Sequence, residues 1–174
     1  MKRILLISVL AVCSAHAADP DAERAAEIAK MTEAAIEASC GATTVLEAIE
    51  CLNESLPQDD HDLVVSTPFE DLSRFHHGWG TGIRNGYGLW IGTTPISQHM
   101  RDIGLQHPDD MSGVLINSYW LHFNGCDLRL DDQVAFYRAW WSEGEDVEDG
   151  EVFDWPPSPT SLNECSASFA QDAG

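Results

Sequence analysis

Lysine is almost absent from this chain. Of 174 residues only Lys2 and Lys30 are lysine, and lysine and arginine together number 9 against 29 aspartates and glutamates. The net charge of −20 argues against a nucleic-acid or anionic-lipid binder, because such partners are held by basic patches. Long apolar runs are missing too: beyond residue 12 nothing approaches the ~20 apolar residues of a membrane-spanning helix. There is no CxxC pair, so a cysteine-based zinc cluster is not expected. Few stretches alternate with a period of two and no internal repeat is visible, which removes the main sign of half-buried strands. Catalytic spacings are equally scarce. Neither HExxH nor HxH occurs, and Ser112 and Ser118, which His107 or His122 would have to activate, stand in no nucleophile-elbow pattern. The acids from Glu143 to Glu151 do not fall on the alternate positions of a calcium loop.

What is present begins with an address label. Lys2 and Arg3 precede a short apolar run from Ile4 to Val12, and Ala15-His16-Ala17 offers small residues where signal peptidase reads. Residues 1–17 therefore read as a signal peptide cleaved after Ala17, with the mature protein periplasmic or secreted. Cys13 after Leu10-Ala11-Val12 is a poor lipoprotein site, since the branched Val12 stands where a small residue is usual. Cleavage removes two cations, taking the net charge from −20 to −22. Such a surface suits a cationic partner or divalent cations, although solubility alone also accounts for it. Four cysteines remain, Cys40, Cys51, Cys126 and Cys165. In an oxidising compartment they imply two disulfides with three connectivities, of which Cys40–Cys51 with Cys126–Cys165 is preferred. The second, larger loop is worth about 3–4 kcal/mol in the chain-entropy model.

The mature chain reads as helices. Asp19-Pro20-Asp21 is a helix start, with Ile28, Met31 and Ala35 as a thin apolar stripe and Gly41 as the stop. Thr44 and Glu47 make a capping box ahead of Val45, Ile49, Leu52 and Leu56, and Pro57 ends that helix. Residues 59–71 read as a short helix, a turn at Thr67-Pro68 and another start. Thr94-Pro95 opens a helix with Ile96, Met100 and Ile103 on one face and Gly104 as its stop. His107-Pro108-Asp109-Asp110 opens a central, buried helix that runs to Phe123, ahead of a stop at Asn124-Gly125. Leu130, Val134, Tyr137 and Trp141 form the apolar face of a final helix. The expected fold is all-α, a compact bundle of about five to six short helices over residues 18–141. Residues 142–174 read as an acidic, proline-containing, partly extended tail anchored by Cys165. His61 and His99 read as surface residues.

Between the helices lies FHHGWGTGIRNGYGLW, residues 75–90, rich at once in glycine, aromatic rings and polar groups. Its spacing fits neither the dinucleotide fingerprint nor the phosphate loop, and it has no lysine. Close helix crossing around Trp79 and Trp90 accounts for the glycines without a ligand. This run, HPDDMS at 107–112 and LEAIECLNESLP at 46–57 together resemble a small bacterial helical domain family of unknown function. Its members carry similar HxGxGxxIRNxxGLW and HPDDMS runs. The resemblance covers about residues 44–141. It marks His76, Gly78, Gly80, Ile83, Arg84, Asn85, Gly88, Leu89 and Trp90, then His107, Asp109 and Asp110. Gly86-Tyr87 departs from the family's usual asparagine-aromatic pair, and the export signal, cysteines and acidic tail look like additions. The resemblance implies a fold class and a site location, and no reaction.

The two motifs also suggest a polar cluster on physical grounds. An arginine keeps its charge, so a buried Arg84 must meet a carboxylate, and Asp109 or Asp110 at a helix N-terminus supplies one, ideally as a bidentate pair. His76 and Asn85 are placed to complete it. Such a lock between helices explains these residues without a substrate. As a site, His76, Arg84, Trp90, His107 and Asp109 are the binding candidates, and His76, Arg84, Asn85, Asp109 and Asp110 the catalytic ones. Two functional readings follow. The leading one is an exported acidic binding module, an interaction or inhibitor/immunity-like protein for a basic protein partner, with no cofactor, no metal and no nucleic acid. The alternative is a small hydrolase or ligand-binding enzyme using the cluster, with His76, His77, His107, Asp109 and Asp110 as ligands if a metal assists. A purely structural envelope component is a third reading. The sequence sets no oligomeric state.

Overall fold

A computed structural model describes residues 19–143, and among them all regular structure is helical. The expected signal peptide (1–17) and the tail beyond Glu143, with Cys165, lie outside the described residues. Seven α-helices and one 3-10 helix follow one another: α1 Pro20–Ala38, α2 Val45–Ser55, α3 Gln58–Ser66, the 3-10 helix Phe69–Phe75, α4 Trp79–Gly86, α5 Pro95–Asp102, α6 Pro108–Phe123 and α7 Leu130–Glu143. The all-α expectation holds. The number of elements exceeds the expected five to six, because the glycine-rich run contains α4 and the stretch after Pro57 divides into α3 and the 3-10 helix.

The core forms around α6, whose apolar residues fall on nearly every side. Twelve of its sixteen residues are buried, and α2, α3, the 3-10 helix, α4 and α7 all pack on it. Met111, Val114, Leu115 and Tyr119 meet Ile49 of α2 and Ile83 of α4 in one cluster with Leu89, Ile96 and Met100. Each such aliphatic side chain contributes roughly 1.5–3 kcal/mol on burial. Tyr87 Oη donates to the Ala48 carbonyl at 3.0 Å and Trp120 Nε1 to the Thr67 carbonyl at 2.8 Å, whereas the buried Gln133 Oε1 has no hydrogen-bond partner among the described residues. Helix starts follow the sequence. Thr44 and Glu47 form a reciprocal capping box, and Asp19 and Thr94 cap helices that begin with proline.

Two local expectations need amendment, and a third, the Cys40–Cys51 bridge, is met. Ile28 and Met31 of α1 are exposed, at 42% and 50%, and Ala35 alone of that stripe is buried. The spacing defines a face, but nothing among the described residues covers it at those two positions. His61 is not a bare surface residue. Its Nδ1 lies 2.7 Å from Tyr119 Oη, which donates to Asn53 Oδ1 at 2.9 Å, and its ring meets Phe123 edge-on. The chain after Cys40 does turn back as the first disulfide requires: Cys40 and Gly41 are both left-handed, and Cys40–Cys51 closes with Cα atoms 5.9 Å apart. Cys126 is also disulfide-bonded, and its expected partner Cys165 is outside the described residues.

Close crossing explains only part of the glycine-rich run. Gly88 has φ +64°, and a Cβ there would lie 2.8 Å from Ala35 Cβ and 2.9 Å from Thr94 Cγ2. A Cβ on Gly82, by contrast, would meet nothing within 4 Å. Gly88→Ala is therefore expected to cost about 2–4 kcal/mol, from backbone strain and overpacking. Gly82→Ala, inside α4, should stabilise by about 0.5–1 kcal/mol. Urea midpoints of the two variants check this, and equal midpoints would contradict it.

Candidate functional site

The site is built where α4 crosses the start of α6. On α4 and the residue after it, Gly80, Ile83, Arg84 and Tyr87 are the buried positions, spaced as one helical face. Arg84 thus carries a permanent charge into the contact with α6 and is only 6% exposed. Its three nitrogens are all engaged. Nε lies 3.0 Å from Asp109 Oδ1, Nη1 donates to Ser112 Oγ at 2.8 Å, and Nη2 donates to Thr81 Oγ1 at 2.9 Å and to the His76 carbonyl at 3.3 Å. The two hydroxyls accept because their own protons are committed elsewhere, Ser112 to the Asp109 carbonyl and Thr81 to the His77 carbonyl. Gly80 leaves room for this fold-back: a Cβ there would stand 3.2 Å from Arg84 Nη1.

The expected partner set is corrected in three respects. Arg84 binds Asp109 through Nε alone, not as a bidentate fork, since Nη1 and Nη2 are turned to Ser112, Thr81 and His76. Asp110 does not meet Arg84; its Oδ2 accepts from Trp141 Nε1 at 2.7 Å. Asn85 is exposed, and among the described residues its side chain makes no hydrogen bond to the cluster. His76 joins chiefly through its main chain, its ring Nε2 standing 3.8 Å from Asp109 Oδ1. Ser112 and Thr81 join the cluster beyond the expected set, Ser112 closing the HPDDMS run as an acceptor for Arg84 and not as a nucleophile candidate. Trp141 was read only as part of an apolar helix face.

His107 caps α6. Its Nδ1 accepts the Asp109 backbone N–H at 3.2 Å and lies 3.5 Å from Asp109 Oδ2. The His107 ring sits between two indoles, edge to face with Trp90 at 5.7 Å and tilted against Trp141 at 5.8 Å. Trp90 and Trp141 are 55% and 60% exposed. Beside them, between the loop after α5 and α7, opens a cleft of about 520 Å³ lined by His107, Asp110, Tyr137 and Trp141 among others. Among the described residues no group of three or more His, Cys, Asp or Glu is arranged to hold a metal.

Burial pushes the Asp110 carboxyl above the usual carboxylate range, with the Trp141 hydrogen bond and His107 pulling the other way. Burial likewise raises the Tyr137 phenol, and the neighbouring Asp110 and Asp109 add to that rise. Tyr119, inside the core, is pushed up to about 12 by burial. The arrangement therefore has two halves of different character. One is a guanidinium satisfied by its own neighbours; the other is an aromatic surface over a buried carboxylate.

Two variants separate these halves. Arg84→Met leaves Asp109, Ser112 and Thr81 without their donor and should cost on the order of 3–5 kcal/mol, with Arg84→Lys failing to restore it because an ammonium does not span three directions. Chemical denaturation measures this, and an unchanged midpoint would remove the lock. For Asp110 the raised folded-state value means that its contribution is fully present below the unfolded carboxylate value, near 3.9, and is lost as pH rises through the folded value. Asp110→Asn retains an acceptor for Trp141. It should be more stable than the native chain at pH 7, by a margin that narrows towards pH 4. Thermal melts across that range test it, and a margin that widens on acidification would contradict it.

A family model described as Domain of unknown function (DUF6794) matches residues 43–123. The matched span runs from the capping box of α2 to the last residue of α6 and contains both motifs. It ends at Phe123, whereas the resemblance seen in the sequence was carried to Trp141. Comparison with curated proteins and with solved structures gives no match. Residues 43–123, with the arginine lock at their centre, thus match the model of a domain family of unknown function.

Proposed function

We propose that this protein is an exported binding module that acts by contact on a basic protein, as an interaction or inhibitor/immunity-like partner. The observation that carries the reading is the pair of exposed indoles Trp90 and Trp141 flanking the half-buried His107, set beside Asp109 and Asp110 on a chain of net charge −20. Exposed indoles supply contact area at low entropic cost, and a surrounding field of one sign speeds encounter with an oppositely charged partner. Export is supported by the sequence of residues 1–17. The Cys40–Cys51 disulfide is compatible with an oxidising, extracytoplasmic compartment.

A hydrolase built on His76, Arg84, Asn85, Asp109 and Asp110 draws less support. Arg84 gives its nitrogens to neighbours of its own chain, Asn85 stands apart, and Asp110 is held by Trp141.

The test is capture by the immobilised full-length protein from an extracellular or periplasmic extract of the source organism. A basic protein should be retained at about 50 mM salt and released by about 0.5 M, as screening shortens the reach of the charges. Retention should fall at least roughly fivefold when Trp90 and Trp141 are both replaced by alanine. No retained protein at low salt, or only salt-insensitive ones, would overturn the reading.

A further inference from the structure

We infer that the cleft between the α5–α6 loop and α7 is the receptor for a single basic side chain of the partner, whose cationic head meets Asp110 and whose alkyl stem lies along Leu105, Tyr137 and Trp141. The inference rests on the binding role proposed above and names what that surface recognises.

The cleft holds about 520 Å³ and is walled mainly by apolar and aromatic groups. Asp110 stands in it, more than nine-tenths buried, with one carboxylate oxygen taken by Trp141 Nε1. Its other oxygen accepts no hydrogen bond among the described residues. A carboxylate set this deep in an apolar cleft is costly unless paired, and a guanidinium or ammonium is the group that pairs it. Burial that pushes Asp110 upward is the same cost seen from the proton's side. The indole of Trp141 and the ring of Tyr137 add the negative faces that favour a cation, and a long aliphatic stem suits the walls between them.

Charge complementarity selects among occupants. The chain's own segment after α7 is acidic, with Glu145, Asp146, Glu148, Asp149, Glu151 and Asp154 in close succession, and a second copy brings another net charge of −20. Neither answers a buried carboxylate. Arg138 also lines the cleft. It lies one turn before Trp141 on α7, donates through Nη2 to the Ile103 carbonyl at 3.1 Å and presents a like charge to an incoming cation. It therefore limits the cleft to one basic side chain and tempers its affinity.

The test uses the full-length, ¹⁵N-labelled protein titrated with N-acetyl-arginine amide and with its neutral isostere, N-acetyl-citrulline amide. The Trp141 indole N–H resonance, identified by its absence in Trp141→Phe, should shift saturably with the arginine probe at millimolar concentration and not with citrulline. Asp110→Asn should weaken the arginine probe at least roughly tenfold, and Arg138→Gln should tighten it about twofold. Because Asp110→Asn keeps the Trp141 hydrogen bond, the native position of the indole resonance in that variant reports that the cleft is still formed. Equal response to citrulline, or undiminished arginine binding in Asp110→Asn, would overturn the inference. If a basic protein is captured equally well by Asp110→Asn, the cleft is wrong while the binding role stands. If the arginine probe binds as described but no basic protein is captured, the cleft stands and the binding role fails.

Discussion

A charge that cannot be discharged sits at the centre of this domain. Arg84 reaches the helix crossing because it shares a face with Gly80, Ile83 and Tyr87, and a guanidinium there is tolerable only if every direction it points in is answered. The answers come from three places: the Asp109 carboxylate and Ser112 hydroxyl at the head of α6, and Thr81 with the His76 carbonyl on its own side. Because α2, α3, α4, α7 and the 3-10 helix all pack on α6, fixing its first turn fixes the axis around which those helices are arranged. The same first turn holds Asp110 and the His107 cap, so the aromatic surface is indexed to the lock one residue away.

That adjacency explains why two consecutive aspartates have different fates. Asp109 is half in water, close to a full positive charge. Asp110 faces the opposite way, into the cleft under α7, where an indole N–H is its one hydrogen-bond donor among the described residues. One acid is spent on holding the fold, and the other is left under strain of solvation. Natural proteins tolerate such a local deficit where a ligand relieves it, which is the physical content of the proposed role.

Much of the architecture was legible because it is encoded locally. The Thr44–Glu47 box, the prolines at 20, 95 and 108, and the stops at Gly41, Gly104 and Gly125 all act within a few residues, and each stands where its chemistry demands. The Arg84–Asp109 pair was legible for a different reason, since a buried arginine narrows the choice of partner to the nearest acids. The rest depends on distant pieces. Trp141 reaches Asp110 across 31 positions and His61 reaches Tyr119 across 58, and no periodicity records such meetings. Periodicity also misjudged Ile28 and Met31, because it reports that a face is apolar and is silent on whether anything lies against it. The glycines divided similarly: Gly88 is demanded by its backbone angle and close neighbours, while Gly82 has open space around it.

α1 stands before the family-matched span, and of its nineteen residues one, Ala35, is buried. A free helix of that length is marginal in water. It is gripped by the contact of Ala35 with Gly88, by a Thr32–Thr93 hydroxyl bond of 2.6 Å, and by the covalent bridge from Cys40 to α2. Two of these grips are slight and the third is chemical. The first helix is thus a bolted-on arm whose fastening depends on the thiol chemistry of its surroundings: reduction of the bolt would leave a methyl contact and one hydroxyl bond among its side-chain grips.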